Sequence, residues 1–332
     1  MTQTIVNDKR KALPSPAGTL SAGWLKSIHA AQTEGTGSAG GYAVPDLTAD
    51  VIQNSVSEHG IAQRVASTYR MDSDALTVAK WAATTTVDLP GEAAAITASD
   101  KTYGSITLSA VKRSVLHTIS NELLADSRPD LVDDLVAEAS YNIAKRQDLD
   151  LIQGDGTSGY GSVTGLVSRL GAGGTTTASG TTFSTVTLAN LQAVAGDLSS
   201  RFYRPGQLSW IMSHEFFSQY CVPLCQAVGL ETWRMVDGSS QPALFGFPVH
   251  LTDAMPSEAA SAVACFFGNW PACVAFGSVR DGLNVQLSSR GSSTFGIDAS
   301  QLRLNWRYDI QVHEYPDASN FSAFSGLKLA AS

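Results

Sequence analysis

Apolar and polar positions along the chain change period several times, and the changes divide it into elements. Residues 129–152, PDLVDDLVAEASYNIAKRQDLDLI, carry the strongest helical pattern, with Leu131, Leu135, Ala139, Ile143 and the span Gln147 to Leu151 on one face. Pro129, preceded by Ser127 or Arg128, suits a first helical turn, and Asp130, Asp133 and Asp134 suit the positive end of the helix dipole. At 1.5 Å per residue such a helix is about 35 Å long, enough to cross a domain. Its paired acids, Asp133–Asp134 and Asp148–Asp150, read as a solvated face. Between Met71 and Ile119 the period falls to two. Leu76, Val78 and Lys80 alternate, and Ile106, Leu108 and Ala110 alternate with Ser105, Thr107 and Ser109. The stretch between, TTTVDLPGEAAAITASDKTYG, is small, polar and broken at Pro90-Gly91, which predicts a long hairpin standing away from the core. A two-stranded hairpin is marginal alone in water, so it needs a partner surface.

The flanking regions mix the two periods, and the whole predicts an α+β chain. Residues 1–41 form a polar arm with Pro14, Pro16 and a closing EGTGSAGG. Within it Leu20, Trp24 and Ile28 share one helical face, which is too short to hold alone. It docks on its own body or a neighbour, or stays without fixed structure. Asp46 or Thr48 can cap a short helix through Val56 that ends near Gly60. After the low-complexity run GAGGTTTASGTT, residues 187–201 read as a helix with Leu188, Leu191, Val194 and Leu198 inward. QLSWIMS reads as a buried strand, and Ser213 as the cap of a helix reaching about Cys221. Further strands fall in FGFPVHLTDAMP, AVACFFGNWPACVAFGS and RLNWRYDIQVHEYPDA, where His313 alternates with apolar residues and faces solvent or an interface. No internal repeat is present.

Bulk properties narrow the partners. The 332 residues suffice for about two domains, and charged residues make up 16%, below the usual ~25%. So little charge fits a protein that hides surface in contacts with other copies. The net charge is −8 and the longest basic run is Lys9-Arg10-Lys11, so the chain does not grip nucleic acid directly. The first residues lack the apolar core of a secretory signal, and no stretch approaches ~18 apolar residues, so neither export nor a membrane span is expected. Four cysteines, Cys221, Cys225, Cys265 and Cys273, are too few for a disulfide framework.

Three catalytic or cofactor readings fail on their own mechanics. GDGTSGYG, residues 154–161, matches the letters of G-x-G-x-x-G. That motif needs a strand before it, a helix after it and an acid ~20 residues on. Here a long helix precedes it, a turn-rich segment follows, and the acid position falls in the Gly/Thr run. Gly154 is instead read as a left-handed helix stop, with Gly156, Gly159 and Gly161 letting the chain reverse. Cys221 and Cys225 with His214 lack a fourth metal ligand and are interrupted by Pro223, so they read as small buried hydrophobes. The six histidines are scattered, and neither G-x-S-x-G nor H-E-x-x-H occurs. No catalytic residue, metal or cofactor is expected.

Several stretches taken together carry a resemblance. GGYAVP follows the arm; the hairpin leads into ISNELLADS; the long helix ends in DLDLIQGDGTSGYGSVTGL. LFGFPVHLTDAMP, FFGNWPACVAFG and a closing DIQVHEYPDASNFSAFSGLK follow in order. Over about residues 40–328 the chain resembles the major capsid proteins of tailed bacteriophages, of the Hong Kong 97 type. The resemblance implies four parts. They are an N-terminal arm (1–40), an extended loop (71–115), a peripheral domain with the long spine helix (41–70, 116–185 and 275–307), and an axial domain (186–274 and 308–332). It implies pentamers and hexamers in an icosahedral shell enclosing double-stranded DNA, located in the virion and assembled in the host cytoplasm. Leu20, Trp24 and Ile28 of the arm and Trp81, Glu92 and Lys101 of the loop are the expected inter-subunit contacts.

Many relatives carry about a hundred scaffold residues before the shell domain, whereas about 40 precede GGYAVP here, so a separate scaffolding protein is expected. A portal, a maturation protease and a possible decoration protein complete the implied partners. Some relatives join a loop lysine to a neighbour's asparagine with a glutamate's help. Lys80 and Lys101 are candidate lysines, but STFGIDASQLRLNW offers no asparagine-plus-glutamate match, so no such crosslink is expected. The alternative on the same fold is an encapsulin-like compartment with protein cargo, and the alternative from another class is a soluble enzyme. Deleting residues 1–31 is expected to leave a folded body, by circular dichroism, that assembles poorly. Normal shells from the truncated chain, seen by electron microscopy, would remove the docking role of Leu20, Trp24 and Ile28.

Overall fold

One helix of 23 residues and two strands of 15 and 14 residues carry the architecture, and shorter elements are fitted around them. The computed structural model describes residues 42–43, 60–81, 87, 89, 100, 103–126, 131–236, 239–288, 297–316 and 323–331. The first half contains β1 (Tyr42–Ala43), α1 (Ala62–Val65), β2 (Ser67–Met71), β3 (Ala75–Trp81), β4 (Tyr103–Ser109), β5 (Val111–Ser120), α2 (Asn121–Asp126) and α3 (Leu131–Gln153). Next come α4 (Leu166–Arg169), β6 (Thr175–Thr177), α5 (Leu188–Gly196), β7 (Leu208–Met212), α6 (His214–Phe216), a π turn (Phe217–Cys221) and α7 (Val222–Gln226). The remainder is β8 (Trp233–Val236), β9 (Ser239–Leu244), β10 (Phe247–Leu251), β11 (Val263–Asn269), α8 (Trp270–Cys273), β12 (Val274–Ser288), β13 (Ala299–Val312) and β14 (Phe324–Lys328). The mixture is α+β, as the sequence predicts. The arm and the short helix predicted after Asp46 lie outside the described residues.

Two large sheets carry the two main cores. In the first, β12 and β13 form a long antiparallel pair, with β5 beyond β13 and both β1 and β2 along the other side of β12. Along β13 the period of two is plain: Leu302, Leu304, Trp306, Tyr308, Ile310 and Val312 are all buried. That row packs with Ala139, Ile143, Leu151 and Ile152 of α3 in one cluster. Each such side chain contributes roughly 1.5–3 kcal/mol on leaving water. The second sheet has the order β6-β14-β11-β7-β10-β9-β8. Its central strands β7 and β11 are buried at every position, which explains their unbroken apolar runs. Trp210 and Phe267, with ring centroids 4.6 Å apart, sit in its core.

Helix ends follow local chemistry. Thr187 and Asn190 form a reciprocal capping box at the start of α5, which stops at Gly196 rather than at 201, although Leu198 remains buried. The Ser213 hydroxyl accepts from Phe216 N at 3.1 Å, as expected of a cap, but the helical run continues past Cys221 to Gln226. Pro223 has no N–H to donate, and the backbone passes it through the π turn instead of ending. All four cysteines are free and buried, as small hydrophobes.

Gly154 departs from its expected role. Its φ is outside the left-handed region; the positive values belong to Gly156 (81°), Gly161 (61°) and Ser162 (64°). A Cβ on Gly154 would stand 2.5 Å from Asp150 O and 2.7 Å from Val163 O. The glycine therefore admits a returning backbone. Gly165 N donates to Gly154 O at 2.9 Å, and Gly156 N to Val163 O at 2.8 Å, closing the loop onto the helix end.

The acids of α3 also depart from expectation. Asp148 is 6% exposed and Asp150 is fully buried, so this end of the helix does not present a solvated acidic face. Asp148 instead holds the start of α1: its Oδ1 accepts from Ile61 N and Ala62 N, each at 2.9 Å, and its Oδ2 from Thr252 Oγ1 at 3.3 Å. Burial raises its pKa to about 6, against the opposing pull of those N–H donors, Thr252 and Arg64.

Gly154→Ala should lower unfolding stability by about 1–3 kcal/mol or more, because backbone must move. Gly196→Ala, with open space around it at a helix end, should be neutral or gain about 0.5–1 kcal/mol in the same urea titration. For Asp148 the folded pKa lies above the unfolded 3.8, so its contribution is full below about pH 4 and is lost as pH rises through about 6. Urea titrations of the unassembled subunit from pH 4 to 7 should show wild type losing roughly 3 kcal/mol relative to Asp148→Asn over that window. A constant difference would refute this.

Candidate functional site

Where α3 crosses the first sheet, helical spacing sets Asp150 on the inward face, three residues after Gln147 and seven after Ile143. A carboxylate enclosed there must be paired. Arg113 of β5 donates through Nη2 to Asp150 Oδ2 at 2.8 Å. Arg146, one helical turn earlier, approaches Oδ1 through Nε at 2.9 Å, and Tyr308 of β13 donates its hydroxyl to Oδ2 at 3.0 Å. Three elements thus converge on one side chain.

The same arginines hold the glycine loop. Arg113 Nη2 also donates to Tyr160 O at 3.0 Å, and Arg146 Nη2 donates to Gly159 O. Arg113 stacks over the Tyr308 ring at 4.6 Å and Arg146 over Tyr160 at 5.2 Å. A Cβ on Gly161 would stand 2.4 Å from the Arg113 guanidinium, so this position requires a glycine for close approach as well as for its positive φ. Burial, followed by the negative charge of Asp150, pushes the Tyr308 phenol well above its usual range, so it stays a donor. Beside the cluster lies a cavity of about 390 Å³, walled by Val111, Lys112, Val115, Ile143, Ser158 and Tyr308 as well as the arginines.

A second feature is the hairpin of β3 and β4, which pair residue for residue from Ala75↔Ser109 to Trp81↔Tyr103 and, among the described residues, join no other strand. Its root is fixed by a small core of Met71, Leu108, Ala275 and Val279 and by Ser109 N donating to Asp309 Oδ2 at 2.7 Å. Beyond the root, Lys80 Nζ lies 3.9 Å from Glu314 Oε1, a partly exposed pair within the subunit. Large apolar side chains nevertheless face solvent along the hairpin: Val87 is 89% exposed, Leu89 91% and Tyr103 64%. Another exposed group, Val228, Leu230, Trp233 and Met235, lies around the start of β8, with Trp233 edge-on to Phe217. Concentrated apolar exposure of this kind marks surfaces that meet other molecules.

Of the contacts read from sequence, Trp81 ends β3 opposite Tyr103, while Leu20, Trp24, Ile28, Glu92 and Lys101 lie outside the described residues. His313, expected to face solvent or an interface, is half-buried, with a backbone N–H donating to Cys273 O at 2.7 Å. Burial holds its imidazole down to about pKa 4 and does the same for His250. The Asp150 cluster was missed because two acids near a helix end were read as solvated. The inward spacing from Ile143 and Gln147 was the signal that could have found it.

The fold has known counterparts. The capsid of a native GTA particle matches with a TM-score of 0.62 at 17% identity, covering 92% of this chain and 98% of that one. A structure from Mycobacterium phage Bobi matches at 0.63 and 17%, covering 82% and 91%. The holo-SrpI encapsulin complex from Synechococcus elongatus PCC 7942 matches at 0.57 and 12%, covering 91% and 94%. At these identities the likeness is one of fold. No curated protein matches the chain. A family model described as the phage capsid family matches residues 40–316, most of the chain, and the chain belongs to that family.

Proposed function

We propose that this chain closes into an icosahedral shell of pentamers and hexamers around double-stranded DNA. The observation that carries the reading is the family match over residues 40–316. The subunit's form supports it: a hairpin stands off the body, and apolar side chains are exposed both there and around β8. A role in building the shell, rather than in catalysis, fits a surface equipped for contact. The net charge of −8 suits a wall that contains DNA without gripping it.

Within this proposal, α3 and the first sheet form the peripheral part and the second sheet the axial part around the symmetry axes. The hairpin lies across the adjacent subunit, and residues 1–40 act as the arm. A separate scaffolding protein, a portal and a maturation protease belong to the same assembly, with a decoration protein as an addition to the finished surface. The subunit is made in the host cytoplasm and ends in the virion. The encapsulin likeness supports a second reading, a compartment with protein cargo.

Expression of the full chain, with size-exclusion chromatography and electron microscopy, tests the main claim. Rings or closed particles are expected, and a monomer or dimer that never assembles would overturn it. Nuclease-protected DNA in mature particles separates the two readings, since protein cargo in its place would favour the compartment.

A further inference from the structure

We propose that the cavity between β5, α3 and the glycine loop is a binding site for a small phosphate monoester. Lys112, Arg113 and Arg146 hold the phosphate, and the apolar wall takes the organic group.

The charge in the cavity is one-sided. Lys112, Arg113 and Arg146 line it and, among the described residues, no carboxylate does, in a chain whose 30 acids outnumber its 22 lysines and arginines. Asp150 lies behind the two guanidiniums, fully buried, and offsets one of the three positive charges. Two remain facing the space. Hydrogen bonds within the subunit use three of Arg113's five N–H donors and one of Arg146's. Lys112, Asn142 and Ser158 line the same cavity, are exposed, and among the described residues make no side-chain hydrogen bond. The arginine side chains are 12% and 36% exposed, so an anion meets them partly shielded from water, where attraction is stronger.

The unspent donors come from three sides. β5 brings Lys112 and Arg113, α3 brings Asn142 and Arg146, and the loop brings Ser158. A phosphate ester presents three strong acceptor oxygens, whereas a carboxylate presents two in one plane. Its charge of about −2 at pH 7 matches the two uncompensated cations. The cavity's volume of about 390 Å³ suits a small organic ligand, and Val111, Val115 and Ile143 supply apolar wall that a bare ion leaves unused. Duplex DNA fits poorly, because each of its phosphates carries one charge and they are strung along the outside of a rod. The chemistry selected is a terminal phosphate on a small apolar or aromatic group.

Calorimetric titration of the full chain with phenyl phosphate tests this. One site per chain is expected, with phenol binding at least tenfold more weakly. Lys112→Glu and Ser158→Asp, both at exposed positions, should each weaken phenyl phosphate at least tenfold. Arg204→Glu, the same reversal on an exposed arginine outside the cavity, should leave its affinity within twofold. Saturating phenyl phosphate should also slow acetylation of Lys112 in the wild-type chain at least fivefold, read by mass spectrometry, and leave that of the exposed Lys145 unchanged. Binding no tighter than that of phenol, full affinity in both cavity variants, an equal loss in Arg204→Glu, or unprotected Lys112 overturns the site. So does displacement of phenyl phosphate by a DNA duplex lacking terminal phosphates, which assigns the cations to nucleic acid instead.

Discussion

The enclosed carboxylate of Asp150 is the point on which the first half of the fold turns. An ion withdrawn from water is costly, and that cost is offset only when its lone pairs are filled by well-placed donors. Arg113 and Tyr308 supply them at Oδ2 from β5 and β13, and the Arg146 guanidinium of α3 adds its positive charge 2.9 Å from Oδ1. Each of the three is therefore held in position by the others. Removing one partner from such a buried group typically costs about 3–5 kcal/mol, a large share of a domain's stability. The glycine loop is tied in through its carbonyls to the same guanidiniums.

Asp148 does for the N-terminal side what Asp150 does for the sheet. It reaches from the same helix to the first backbone N–H groups of α1, 86 and 87 residues earlier. Two acids two residues apart thus point to different neighbours and register α3 against both. One is answered by cations and a phenol. The other is answered mainly by backbone N–H groups, and burial raises its pKa to about 6.

The subunit is well enclosed in its two cores and conspicuously open elsewhere. Trp210, Trp270 and Trp306 are fully or almost fully buried, yet Trp233 and Met235 at the start of β8 remain half exposed or more. Among the described residues, the β3–β4 hairpin packs on a small core at its root, with Leu76 and Val78 against it. Low overall charge and this uneven covering have a common explanation in a protein whose remaining burial comes from other copies.

The amino-acid sequence by itself determined the elements whose period is local: α3, the hairpin strands, the fully buried β7 and β11, and the alternating β13. Side-chain direction in these follows from 3.6 or two residues per repeat, whichever neighbour is met. It also determined the family likeness, through the order of short motifs. Tertiary structure alone decided what the acids of α3 and the glycines after it do. Burial of Asp148 and Asp150 depends on donors from 37 to 158 residues away, which no local pattern encodes. Gly154 is required by a backbone returning at Val163 and Gly165, and Gly161 by a guanidinium arriving from β5. Local pattern fixes which way a side chain points, whereas its partner is fixed only when distant strands and helices close around it.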